Sequence, residues 1–320
     1  MNNKKKLMIT GGSGLVGSAV MSLEKDYPEF QFRPIYHSYG NLTDQNFVDA
    51  IFDIERPDIV LHLAARVGGI GKNLNQPADQ FDDNILMNTF VIQNSLKYKV
   101  EKFIGFGSVC AFPQELDILT EESYLEGEPF PAHKSYAYAK RMMTVQLEAY
   151  KQQFGFNSCS IIPTNIFGTN DSYNLENGHV IPVLIHKFYN AIKDITNVEC
   201  WGSGTPLREF IFAEDLAKIC LDLLSGRINP MPDRLIIPGQ EYAIRDIVDK
   251  MDLIFMNEYK YPVEFPDLVW NKNKPNGQMV RKTGSIYFNN LFPNFKPTDV
   301  DFALRKSIKW FIENYPNVRK

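Results

Sequence analysis

Seven residues near the start, Gly11-Gly12-Ser13-Gly14-Leu15-Val16-Gly17, constrain this chain more than any other segment. They follow an apolar run that reads as a strand and open a stretch that reads as a helix, which is the context a dinucleotide-binding turn requires. Glycines at this spacing permit a tight turn and let the backbone approach a pyrophosphate. The phosphate charge then meets unpaired N–H groups at the helix start. A tight turn alone occurs in many chains; its place after the first strand favours a cofactor.

The residues that follow keep the same rhythm. Strands at 6–10, 32–37, 59–63, 103–107 and 158–163 alternate with helices at 14–25, 43–56, 79–98 and 136–154, the pattern of a parallel sheet covered on both faces. The expected fold class is α/β: a Rossmann-type, doubly wound parallel sheet over residues 1–165, to which some later segments return, and a smaller α/β C-terminal lobe over 166–320 that binds substrate. Beyond Pro163 the alternation loosens and Pro, Gly and Asn become frequent. An amphipathic helix is expected at 299–314, started by Pro297-Thr298. The polar segment 267–284, rich in Lys and Asn, reads as a loop long enough for a binding role.

Composition removes several function classes. With 320 residues, 44% of them hydrophobic, the chain can bury a large core, and a net charge of -4 gives no electrostatic reason to expect nucleic acid or an anionic membrane. No apolar run approaches the ~20 residues needed to cross a bilayer. A cytoplasmic protein is expected. Cys110, Cys159, Cys200 and Cys220 lack CxxC spacing, so neither a metal site nor a disulfide framework is anticipated.

The second strand ends in Tyr36-His37-Ser38-Tyr39-Gly40, without the acid that would bind an NAD ribose hydroxyl. That favours NADP, with His37 and Ser38 as the nearest donors. Tyr136 and Lys140 stand four apart at the start of a helix, one turn above each other. An ammonium there is expected to lower the phenol's pKa from about 10 and ready it for proton exchange. Tyr138, the rival donor by type, lacks that spacing. Ser108, at the end of the fourth strand, lies where ligands of open α/β sheets bind.

Gly-rich turn, Ser108, Tyr136 and Lys140 together resemble the extended short-chain dehydrogenase/reductase superfamily. Further segments narrow the resemblance: His62-Leu63-Ala64-Ala65, Val67-Gly68-Gly69-Ile70, Gly107-Ser108-Val109-Cys110, Pro163-Thr164-Asn165-Ile166, Gly178-His179-Val180-Ile181-Pro182 and Trp201-Gly202-Ser203-Gly204. In this order they resemble the GDP-L-fucose synthase family, whose members epimerise and reduce GDP-4-keto-6-deoxy-D-mannose with NADPH. The resemblance implies a reductase centre of Ser108, Tyr136 and Lys140, and an acid/base pair, Cys110 and His179, for epimerisation at C3 and C5. It also implies that Lys140, Pro163, Thr164, Asn165, Ile166 and His179 lie along the cofactor, that Lys187, Trp201, Arg208 and Asn276 hold the GDP-sugar, and that the protein is a homodimer through helices 79–98 and 136–154.

Two positions depart from the family pattern: Asn276 replaces the usual Asp, and Val109 a small hydroxyl residue. Some relatives in bacterial capsule pathways are C4 reductases alone, acting on GDP-4-keto sugars that include heptoses, so the sugar stays open between a 6-deoxyhexose and a heptose. A 4-epimerase or 4,6-dehydratase is the runner-up enzyme, but a dehydratase is expected to carry Thr-Asp/Glu-Glu where this chain has Ser108-Val109-Cys110. A catalytically silent NADP-binding regulator would not need Ser108, Tyr136 and Lys140 intact.

Overall fold

In the computed structural model, residues 4–259, 267–274 and 282–320 are described. Six parallel strands form the main sheet, in the order Arg234–Ile237, Ser158–Pro163, Lys102–Phe106, Ile59–His62, Lys5–Thr10, Phe30–Ile35. Strands buried on both faces read as continuous apolar runs, and Leu7 to Ile9 and Ile59 to Leu61 are all buried. From Lys5–Thr10 the chain goes first to one side, to Phe30–Ile35, and then crosses to Ile59–His62 on the other. The crevice at that reversal, beyond the carboxyl ends of the two inner strands, is where such sheets bind ligands.

Helices cover both faces. Leu15–Ser22 packs with Ala213–Ser225 on one, through Val16, Val20, Leu216 and Cys220. Gln45–Glu55, Pro77–Lys97 and Lys134–Phe154 cover the other, burying Val48, Phe52, Val91, Met143 and Leu147. The second lobe joins the strands Asn165–Phe167, Leu207–Phe212 and Gln240–Ala243 to the helices Val180–Asp194, Ile244–Glu258 and Val300–Asn314. Its core stacks Phe188 on Phe255, 5.3 Å between ring centroids, beside Tyr173 and Phe311.

Several elements differ from expectation. The first helix stops at Ser22 and a 3-10 turn, Glu24–Asp26, follows; Pro28 disfavours helical backbone at Tyr27, which has φ of -126°. The helix expected at 136–154 starts at Lys134, two residues before Tyr136. The last helix is capped by Asp299, whose side chain accepts from the Phe302 amide, while Thr298 donates its hydroxyl to Asp215 at 2.7 Å. The segment expected as a loop at 267–284 holds a strand, Leu268–Asn271, paired with Val198–Trp201. Its three apolar residues outweigh the surrounding Lys and Asn. Lys282–Thr283 pairs with Ile118–Leu119. Asn276 lies outside the described residues.

Candidate active site

The Gly-rich turn occupies the crevice. Gly11 has φ of +70°, a left-handed conformation, and a Cβ there would come within 2.9 Å of the Ala64 amide nitrogen. At Gly17 a Cβ would collide with the Gly11 carbonyl, so helix and turn approach as closely as they do only without a side chain. Gly14 caps Leu15–Ser22 with no side-chain bond to the helix, and the first helical amides have no partner within the helix. This cradle fits a dinucleotide diphosphate. His37 and Ser38 form an exposed 3-10 turn, His37–Tyr39, at the end of the second strand. Pro163 ends the fifth strand expected from sequence, and Thr164 next to it has a buried hydroxyl with no protein partner. Asn165 is exposed and donates its amide to the Glu209 carbonyl at 2.7 Å, while Ile166 continues the strand Asn165–Phe167.

Ser108, Cys110, Tyr136 and Lys140 converge. Ser108 follows the strand Lys102–Phe106 and caps a 3-10 turn, its hydroxyl accepting from the Cys110 amide at 3.2 Å. The Ser108 amide donates to the buried Tyr124 hydroxyl at 3.2 Å. The Tyr136 phenol stands near enough to the Ser108 hydroxyl and to Cys110 for both to act on its proton. Lys140 Nζ lies 5.8 Å from the Tyr136 ring centroid. The next residue, buried Arg141, donates to the carbonyls of Ala111, Glu126 and Gly127 at 2.7 to 2.8 Å. The helix carrying the phenol is thereby fastened to the loop carrying Ser108 and Cys110.

Electrostatics correct one expectation. Burial pushes the Tyr136 phenol above its usual range, with the Cys110 charge adding to the rise, and outweighs the hydrogen bond from Ser108 that opposes it. The neighbouring ammonium does not offset that rise, and Lys140, itself buried, drops to about 8. Holding the ammonium in that site costs about 3 kcal/mol at neutral pH. A phenol that keeps its proton suits a donor. Beneath Lys140, His62 is pushed down to about 3 by burial and then by the lysine's charge. It stays neutral between Thr10 Oγ1 at 2.7 Å and Asn88 Oδ1 at 3.0 Å. Thr10 in turn accepts from the Leu63 and Ala64 amides, so this network ties the first and third strands together.

His179 is exposed and caps Val180–Asp194. No described hydrogen bond joins it to Cys110; its loop is linked to the sheet domain by the Gly69 amide, which donates to the Asn177 carbonyl at 3.1 Å. Lys187, Trp201 and Lys274 make a second cluster. Both lysine ammoniums lie 5.0 Å from the Trp201 ring centroid, and Lys187 donates to the Glu199 carbonyl at 2.8 Å. Trp201 is 46% exposed, well above the usual exposure of a tryptophan. Arg208 donates to the Leu207 carbonyl, and Glu209 is instead held by Thr283 and the Gly239 amide.

A model of the NAD dependent epimerase/dehydratase family matches residues 7–230, about 70% of the chain. The chain belongs to that family. Within it, a GDP-L-fucose synthase of Dictyostelium discoideum is 34% identical over 99% of this chain and 98% of its own length. A GDP-L-fucose synthase of Sinorhizobium fredii is 32% identical over 97% and 96%. The crystal structure of a GDP-L-fucose synthetase from Naegleria fowleri bound to NADP superposes with a TM-score of 0.91 at 31% identity, covering all of this chain and 96% of that one. The motif resemblance read from sequence and these comparisons agree.

Sequence reading of this epimerase/dehydratase chain missed Thr10, Asn88, Tyr124, Arg141 and Lys274. Each acts through space on a residue distant in sequence. Only Arg141, adjacent to Lys140 and buried at 3% exposure, carried a local signal: a charged residue on the apolar side of a helix.

Proposed function

We propose that the chain is an NADPH-dependent GDP-4-keto-6-deoxymannose 3,5-epimerase-4-reductase. The observation that carries this reading is the convergence of half-buried Ser108, Cys110 and Tyr136 on buried Lys140, at the ends of the strands that also carry the dinucleotide turn. Carbons flanking a C4 ketone are acidic because the enolate charge moves to oxygen, where Ser108 and Tyr136 donate hydrogen bonds. Cys110 and His179, a thiol and an imidazole that can each hold or release a proton, take one from one face of C3 or C5 and return one to the other. NADPH, when bound, supplies the hydride that reduces C4. Tyr136 then gives its proton to the C4 oxygen, and the buried phenol is protonated at neutral pH as this step needs.

Gly11, Gly12, Ser13, Gly14, Leu15, Val16 and Gly17 hold the diphosphate in this reading, His37 and Ser38 the adenosine end, and Lys140, Thr164, Asn165, Ile166 and His179 the nicotinamide end. Lys187 and Arg208 meet the GDP diphosphate, one as a point charge and one as a planar fork, while Trp201 is covered by the nucleotide. Residues 1–165 bind the cofactor, joined by the helix Ala213–Ser225 and the strand Arg234–Ile237, and 166–320 bind mainly the sugar nucleotide. Four cysteines without a disulfide fit a reducing cytoplasm. Two copies pair through Pro77–Lys97 and Lys134–Phe154, which expose Phe81, Leu86, Met142 and Val145.

NADPH oxidation with GDP-4-keto-6-deoxymannose, set beside the corresponding GDP-4-keto-heptose and followed by product NMR, tests the reading. Turnover of the 6-deoxyhexose with inversion at C3 and C5 is expected. Turnover of the heptose alone, without inversion, would replace it by a C4 reductase, and no turnover of either sugar would remove it.

A further inference from the structure

The turn Gly11–Gly17 contains no cation, although a dinucleotide brings two phosphate charges to it. A cation does arrive, from the far end of the chain. After the helix Val300–Asn314 the last residues run back along the second lobe, fixed by Val318, which is buried in its core, and by the Tyr173 amide, which donates to the Arg319 carbonyl at 2.8 Å. The next contacts lead to the cofactor turn. Arg319 donates through Nη1 to the Asn170 carbonyl at 3.1 Å, and the Asn170 side-chain amide donates to the Ser13 carbonyl at 2.9 Å. A Cβ built on Gly14 would stand 4.0 Å from Arg319 Nη1.

The guanidinium therefore stands beside the cap of Leu15–Ser22, where the helix amides meet an anion. It is exposed, and among the described residues no carboxylate lies within ion-pair distance of it. The nearby acid, Asp171, feels the Arg319 charge but makes no ion pair with it; it is buried, with one oxygen accepting from the Ser172 amide and the other without a hydrogen-bond partner among the described residues. A guanidinium carries five N–H donors in a flat fork matched to phosphate oxygens. The one hydrogen bond described for the Arg319 side chain goes to Asn170.

We propose that Arg319 is the cationic anchor of the cofactor's diphosphate, so that the C-terminal tail completes the dinucleotide site. This rests on the NADPH reading above. The second lobe then contributes to cofactor binding as well as to sugar binding, and the tail links the two. Because the GDP-sugar also carries a diphosphate, the test has to separate the two sources.

The experiment uses the full chain, with Arg319→Ala and Arg319→Lys compared to the parent in separate titrations with NADPH and with GDP, followed by fluorescence at low and moderate salt. Both variants keep Val318 and the backbone bond to Tyr173, and equal melting temperatures check that they fold. Arg319→Ala is expected to weaken NADPH binding about tenfold, Arg319→Lys less, with GDP affinity unchanged. The salt dependence of NADPH binding shrinks in Arg319→Ala. NADPH affinity within twofold of the parent would overturn the proposal, as would a loss confined to GDP. Whether the parent binds NADPH at all tests the underlying reading, and only the ratio of variant to parent tests Arg319.

Discussion

Tyr136 and Lys140 sit one helical turn apart, and burial moves their protons in opposite senses: the phenol holds its proton more tightly, while the ammonium gives one up near pH 8. Reduction that needs a charged Lys140 beside the phenol therefore declines as pH rises through about 8. In a kcat/KM profile for the ketone, Lys140→Met is expected to lower the plateau at least ~100-fold and to remove that alkaline limb. An unchanged limb in the variant would assign it to another group. The pairing was legible because a four-residue spacing is local. Its electrical outcome was not, since burial depends on residues far away in the chain.

His62 makes the same point through stability. Its folded pKa, about 3, lies below the unfolded 6.5, so the unfolded chain binds the proton first and acid favours unfolding. The contribution is neutral above about pH 6.5 and erodes stability by about 1.4 kcal/mol per pH unit from there down to about 3. Urea unfolding of the parent and of His62→Gln at pH 7, 6 and 5 checks this. The variant starts about 1 to 3 kcal/mol less stable, having lost its bonds to Thr10 and Asn88, and then loses less on acidification. Parallel slopes would contradict the assignment.

At the scale of elements, the helices Pro77–Lys97 and Lys134–Phe154 have two jobs. Their inner faces bury Val91, Ile92, Met143 and Leu147 against the sheet, and the outer faces leave Leu86, Met142 and Val145 exposed. Sedimentation of the parent is expected to give a dimer, and Leu86→Lys with Met142→Lys a monomer. A parent that sediments as a monomer, or a variant that stays dimeric, would rule out this face. Both helices were readable from their length and apolar spacing. The strand Arg234–Ile237 was not, because its three buried residues carry no periodicity that separates a strand from any other short apolar run. The same ambiguity hid Leu268–Asn271 among the Lys and Asn of its neighbours.

In the proposed reading, the sheet domain supplies Ser108, Cys110, Tyr136 and Lys140, and the second lobe supplies His179, Lys187, Trp201 and Arg208. Fold class was legible because the strand and helix alternation and the Gly-rich turn are local in sequence. How the lobes meet was not: Gly69 with Asn177, and Asn170 with Ser13, join segments more than 100 residues apart. In the proposed enzyme one site runs two separable chemistries, inversion by Cys110 with His179 and reduction by Tyr136. The most direct measurement is the deuterium that Cys110→Ser incorporates at C3 and C5 of the keto sugar in D2O, with NADPH oxidation of an already epimerised ketone followed alongside. Deuterium is expected to fall to background while reduction persists; incorporation at the parent's rate would show that Cys110 does not carry the inversion.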